Sequence, residues 1–161
     1  MPEQARYQAI PRVLCFLRHG QRWLLIQRAA SLRLWPNLYN GIGGHVEKGE
    51  GILAAARREL WEEAGLQAAT LRLAGVIHAT EGDHGVLVFV FTGTAASIEL
   101  RPGPEGTPLW VTLEEALRLD LLADVRLILP HLLTRRPEDP PFVARSELDA
   151  TGQPMLTFEQ G

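Results

Sequence analysis

Three acidic side chains crowd into Arg58-Glu59-Leu60-Trp61-Glu62-Glu63. On a helix of about 100° per residue with Leu53 as origin, Glu59, Glu62 and Glu63 stand near 240°, 180° and 280° and share one arc. Like charges three and four residues apart destabilise a helix by roughly 0.2–0.5 kcal/mol per pair, and Glu59 makes both contacts. Glu62 and Glu63 also sit in the last turn before Gly65, where the helix dipole disfavours anions by about 0.3–1 kcal/mol each. Two local rules broken together point to function, and clustered carboxylates suit a hard divalent cation. The competing reading is a solvated acidic face in which Arg58 pairs with Glu62 one turn on. Gly43, Gly44 and Gly49 precede the segment and let backbone approach a ligand closely. Magnesium keeps several waters and is usually completed by substrate phosphates, so the matching ligand is a diphosphate.

These side chains need elements to hold them. Leu53, Ala56, Leu60 and Ala64 recur at spacings of three or four, which predicts a helix over 52–64 with that apolar stripe buried and Gly65 as its stop. Ahead of it, Ala29–Asn40 reads as loop, and the glycines of Gly41–Val46 predict a constrained turn. Arg12–Arg18 and Arg22–Arg28 predict a hairpin. Leu71–Ala79 and Gly85–Phe91 predict further strands of a mixed sheet, the second central because it is apolar on both faces. Arg101–Pro108 reads as a surface loop, and Leu109-Trp110-Val111 as a resumed apolar run. Thr112 and Glu115 fit a capping box for a short helix with Leu113, Ala116 and Leu117 on one face. A further helix is expected over Val125–Leu133, bent or ended near Pro130, and a hairpin turning at Asp149–Gly152.

With 161 residues, 16 Lys+Arg and 19 Asp+Glu, the chain has a net charge of −3 and a length that suits one domain spanning 1–161. The acidic excess gives no basic footprint for duplex nucleic acid. Lone Cys15 excludes an internal disulfide and a cysteine-built zinc site, and the reading is cytoplasmic. The first ten residues lack a basic start followed by an apolar run, and no stretch suits a membrane span, so neither export nor membrane insertion is expected. His45, His78, His84 and His131 lack metal-ligand spacing and read as structural or surface residues. The four tryptophans read mostly as core or interface, with Trp35 a candidate to line a base pocket.

The run Gly44, five residues, Glu50, seven residues, then Arg58-Glu59-Leu60-Trp61-Glu62-Glu63-Ala64-Gly65-Leu66 resembles the complete Nudix box, spanning 44–66. The resemblance implies an α/β (α+β) fold, an α/β/α sandwich with a mixed β-sheet and a loop-helix-loop catalytic motif. It implies hydrolysis of a nucleoside diphosphate linked to a group X, with Mg²⁺ or Mn²⁺ as cofactor. Glu62 and Glu63 match the family's principal metal ligands, with the Gly43 carbonyl as a further ligand. Glu59 matches a position that serves as base or ligand in different members. Glu50 and Arg58 match positions that organise the loop and orient the carboxylates. Glu105, in Glu-Gly-Thr-Pro, resembles a glutamate beyond the box in MutT-type members.

Asn40-Gly41-Ile42-Gly43-Gly44 resembles the run before the box in the branch that hydrolyses oxidised purine nucleoside triphosphates, where the Asn contacts the base. Gly44 belongs to this substrate-binding run. Asp124 matches by spacing a base-reading aspartate of that branch; its structural alternative is a helix N-cap. Leu122 stands where that branch has a stacking tryptophan. No proline occurs over 67–101 and no tyrosine after Tyr39, which lowers the ADP-ribose and dinucleoside polyphosphate readings. The expectation is therefore a small-molecule nucleotide substrate, a nucleoside triphosphate such as 8-oxo-dGTP cut to monophosphate and pyrophosphate. The alternatives are a non-catalytic nucleotide sensor, or a hydrolase of ADP-ribose, nucleotide sugars, dinucleoside polyphosphates or capped RNA.

Overall fold

The computed structural model describes residues 5–161; Met1–Gln4, part of the segment scanned for a leader, lie outside the described residues. The strands, in chain order, are β1 (Ala9–His19), β2 (Arg22–Arg28), β3 (Tyr39–Asn40), β4 (Ile42–His45), β5 (Ala68–Glu81), β6 (His84–Ala95), β7 (Gly106–Thr112), β8 (Phe142–Leu148) and β9 (Pro154–Glu159). The helices are α1 (Ile52–Ala64), α2 (Leu113–Leu117) and α3 (Ala123–Leu133). The sheet runs β3-β2-β1-β6-β5-β8-β9, with β4 added to β1 and β7 to β2. It is mixed: β1 lies parallel to β6 and β5 parallel to β8, while the other pairs are antiparallel. As its two apolar faces predict, β6 is central.

Alternation along the strands feeds two cores. Val13, Cys15 and Leu17 of β1 join Leu24 and Ile26 of β2 beneath Ala55, Ala56, Leu60 and Ala64 of α1. Phe16, Trp23 and Leu25 face the opposite way, packing with Val125, Ile128, Leu129 and Leu132 of α3. Period-two side chains thus cover both faces of one sheet, giving the layered α/β/α arrangement.

Several expectations change in detail. The glycine run makes a strand rather than a turn: β4 pairs with β1 over Arg12↔His45 to Cys15↔Ile42. Its glycines serve close approach, because a Cβ at Gly43 would stand 2.1 Å from the Val13 carbonyl oxygen. In α1, Leu53 is 44% exposed. The buried face runs instead through Ala55, Ala56, Glu59, Leu60, Glu63 and Ala64, because the helix turns two carboxylates toward β4. Helix α3 continues through Pro130; Arg126 and Pro130 are exposed, so the carbonyl deprived of a partner can be hydrated. Trp23 is buried and Trp110 half-buried, while Trp35 and Trp61 are exposed. The capping box at Thr112 and Glu115 forms as expected, and the C-terminal hairpin forms from β8 and β9. The exposed Leu117 leaves Ala116 as the buried residue of α2.

Candidate active site

Helix α1 ends where Gly65 adopts a left-handed φ of 68° and its N–H bonds the Trp61 carbonyl at 2.9 Å. That is an αL stop, and the Leu66 N–H also reaches the Leu60 carbonyl at 3.3 Å, so the last turn and its glutamates are fixed. That turn lies against β4. The Gly43 amide donates to Glu63 Oε2 at 3.1 Å. A Cβ at Gly44 would lie 2.3 Å from Glu59 Oε1, so this carboxylate occupies the space that glycine leaves. Glu59 and Glu63 are each only 8% exposed, whereas the Glu62 side chain is 54% exposed.

Arg58 ties the cluster together. Its guanidinium donates to Glu50 at 2.7 and 3.0 Å, to Glu59 at 2.9 Å, to Glu62 at 3.2 Å and to the His45 carbonyl at 3.1 Å. Glu50 also accepts from the Glu47 amide at 3.2 Å, so one carboxylate braces the loop between β4 and α1 while orienting the arginine. The Arg58 guanidinium holds the Glu50 carboxyl below its usual range, and Glu50 in turn strengthens proton retention on Arg58. The Arg58–Glu62 pair of the solvated-face reading does form, as one contact among several.

The two buried carboxylates hold their protons more tightly than free ones. Burial is the main cause for both, opposed at Glu59 by Arg58. At Glu63 burial, a hydrogen bond with Glu105 and the neighbouring Glu59 charge push the pKa up to about 9. Glu105, at the mouth of the loop before β7, therefore reaches the cluster, its own carbonyl accepting from the Ala29 amide at 2.9 Å.

The structure thus brings together Glu50, Arg58, Glu59, Glu62, Glu63, Glu105 and the Gly43–Gly44 backbone. Asn40 is half-buried at the end of β3, where its Oδ1 accepts from the Gly41 amide at 2.8 Å. Asp124 lies in the first turn of α3 and is not its N-cap, which is Leu122. The two residues flank one seam, because the Leu122 amide bonds the Tyr39 carbonyl at 2.9 Å and Tyr39 bridges Leu121. Sequence reasoning missed the His45 carbonyl, since a backbone acceptor leaves no mark in residue type. Its ring is exposed, in keeping with a surface histidine.

Among the described residues, no three acidic, histidine or cysteine side chains already converge as a cation shell. Arg58 supplies the positive charge that draws Glu59 and Glu62 together instead. The donor set nevertheless fits a hard cation: oxygen atoms throughout, two of the carboxylates desolvated, with a proton at Glu63 that a dication could replace.

The NUDIX domain family model matches residues 9–132. The chain belongs to the NUDIX family. Its NUDIX region is 51% identical over 47 residues to the m7GpppN-mRNA hydrolase NUDT17 of Bos taurus, a match covering 29% of this chain and 16% of that relative. It is 34% identical over 100 residues to the oxidized purine nucleoside triphosphate hydrolase of Mus musculus, covering 61% of this chain and 64% of the other. The matched stretches thus span from 16% to 64% of these relatives' lengths. The mutator MutT protein from Bacillus halodurans superposes with a TM-score of 0.77 over 93% of this chain and 97% of its own; at 22% identity this likeness shows the NUDIX fold. NUDIX hydrolases generally use divalent metal ions. Among the described residues, no helix is long and apolar enough to cross a membrane.

Proposed function

We propose that this chain is a divalent-cation-dependent pyrophosphohydrolase that cuts a nucleoside triphosphate to monophosphate and pyrophosphate, with 8-oxo-dGTP as a candidate substrate. The observation that carries the reading is the burial of Glu59 and Glu63 against the Gly43–Gly44 backbone, with Glu105 near enough to help raise the Glu63 pKa. A fold gains nothing from two desolvated carboxylates and a third beside them unless a cation is to be held. The longer of the two relative matches is to a purine triphosphate hydrolase, which supports a triphosphate over a cap.

In this reading Glu62 and Glu63, with Glu59 and the Gly43 carbonyl, hold Mg²⁺ or Mn²⁺. When bound, the cation neutralises charge developing on phosphate oxygens and lowers the pKa of bound water. Arg58 keeps Glu59 and Glu62 on one side of the helix so that little reorganisation accompanies binding. The attacking water gives its proton to one of the two carboxylates flanking Glu63, Glu59 or Glu105. Asn40 and Asp124, across the Tyr39–Leu122 seam, read the base through an amide and a carboxylate. The cytoplasm is the proposed compartment, and residues 1–161 are proposed to act as one domain.

Side-by-side turnover of 8-oxo-dGTP, dGTP, dCTP, ADP-ribose and diadenosine polyphosphates with Mg²⁺ tests this reading. The expected result is pyrophosphate release, fastest from a purine triphosphate. Preferred cleavage of ADP-ribose or a dinucleotide would contradict the substrate, and binding without cleavage of any would contradict the reaction.

A further inference from the structure

The segment between α2 and α3 is held from two sides. On one it extends the sheet beside β3: the Tyr39 amide donates to the Asp120 carbonyl and the Leu122 amide to the Tyr39 carbonyl, both at 2.9 Å, and Tyr39 bridges Leu121. On the other, Arg126 reaches back from the start of α3. Its guanidinium donates to the Leu117 carbonyl at 3.1 Å and to the Leu119 carbonyl at 2.7 Å. These carbonyls stand at the end of α2, where a helix leaves acceptors without partners of its own. One side chain thus closes 117–126 into a loop around Asp120, Leu121 and Leu122, which meet Tyr39.

Packing holds this loop at a single point, since Leu121 is the one buried residue of 117–124. A concavity of about 450 Å³ lies alongside, walled by Leu38, Asp120, Ala123, Arg126, Gln153 and Pro154. An exposed segment beside open space keeps its shape through directed bonds, and the planar fork of an arginine fixes two carbonyls at once. Asn40 follows Tyr39 directly, and Asp124 stands two residues before Arg126.

We propose that Arg126 is a positioning residue for base selection, setting the spacing of Asn40 and Asp124 across the Tyr39–Leu122 seam through its clamp on the Leu117 and Leu119 carbonyls. The role rests on the reading of Asn40 and Asp124 as the base contacts. Polar groups reject a wrong base only when each meets its partner on the right one, so a loosened seam discriminates poorly. The bonds of Arg126 go to backbone, and α3 packs into a different core from α1, which carries the carboxylates. Loss of the clamp therefore acts on the choice of base more than on the chemical step.

The test is steady-state turnover of dGTP and dCTP with Mg²⁺ by the wild type, Arg126→Met, Arg126→Lys, Asn40→Ala and the Asn40→Ala/Arg126→Met double variant, with amide exchange followed in parallel. Arg126→Met should raise KM for dGTP about tenfold with kcat within about twofold, and leave dCTP nearly unchanged, so that the purine preference shrinks. Arg126→Lys, a point donor in place of a fork, should fall between. In the Asn40→Ala background, Arg126→Met should change the preference no further, because both act through one set of contacts. The Tyr39 and Leu122 amides should exchange faster in Arg126→Met, while those of α1 should not. An unchanged preference in Arg126→Met, an equal loss for dGTP and dCTP, full additivity with Asn40→Ala, or unaltered exchange at Tyr39 and Leu122 each overturns the positioning role. A wild type that cuts dGTP and dCTP equally well overturns it together with the base contacts. If the wild type cuts neither, the hydrolase reading fails, and calorimetric titration of dGMP and dCMP decides: equal discrimination by the wild type and Arg126→Met, or none by either, overturns the role of Arg126.

Discussion

Glu63 is held where its negative charge is hardest to sustain. Burial, Glu105 and Glu59 all favour its protonated form, and only the Gly43 amide opposes them. The native state therefore keeps this proton up to about pH 9, whereas an ordinary glutamate in the unfolded chain releases it near 4.5. The resulting contribution to stability is complete below about 4.5 and is lost as pH rises toward 9. Between those limits the loss approaches about 1.4 kcal/mol per pH unit at most. Without divalent ions, the urea midpoint of the wild type should fall between pH 5 and 9, while Glu63→Gln, which carries no ionisable proton there, should fall less. Parallel midpoints would contradict the placement of Glu63. The same strain gives a cation its opportunity, because charge that destabilises the empty cluster is charge available for coordination.

At the scale of elements, β4 and α1 form one unit, with glycine as the fitting surface. Gly44→Ala would place its Cβ 2.3 Å from Glu59 Oε1. The carboxylate must move, and a displacement near 1 Å costs on the order of 10² in rate. Circular dichroism should show an intact fold while turnover falls by about that factor; unchanged turnover would contradict the close fit. Much of this was legible in residue order. The spacing of Leu53, Ala56, Leu60 and Ala64 marked the helix, Gly65 marked its end, and Thr112 with Glu115 marked the short second helix. The rotation of α1 was not legible, because a periodicity count places glutamate outside and has no knowledge of the β4 amide waiting for Glu63. Likewise, glycines signal a turn when read alone, and only the register of β4 on β1 reveals that they allow two backbones and a carboxylate to meet. Glu105 lies far along the chain from the box, so its approach to Glu63 depends on β7 pairing with β2.

Across the whole molecule, the C-terminal hairpin extends the sheet through β5 and β8 and closes over α3. Its seam is aromatic: the His131 ring stacks on Phe158 at 3.9 Å between centroids and meets Phe142 edge-on at 5.1 Å. His131 Nε2 is buried without a hydrogen-bond partner among the described residues, and burial together with Arg135 lowers the imidazole pKa. A depressed folded-state pKa means stability that is present above the ordinary value of 6.5 and is lost as pH falls through it. Acidification below about pH 6.5 should therefore increase amide exchange in β8 and β9, and His131→Phe should suppress that increase. Uniform exchange in both proteins would contradict this. Glu63 weakens the metal-free fold toward high pH and His131 toward low pH, so the two together favour maximal stability between them.

The central claim is that the carboxylates at the end of α1 exist to hold a dication against a substrate anhydride. The direct measurement is pyrophosphate release from dGTP across a magnesium titration, in the wild type, Glu62→Gln and Glu63→Gln. Turnover that needs magnesium in the wild type and falls by orders of magnitude in both variants, with their folds intact, is the predicted result. Equal turnover in all three, or wild-type turnover indifferent to magnesium, would contradict it.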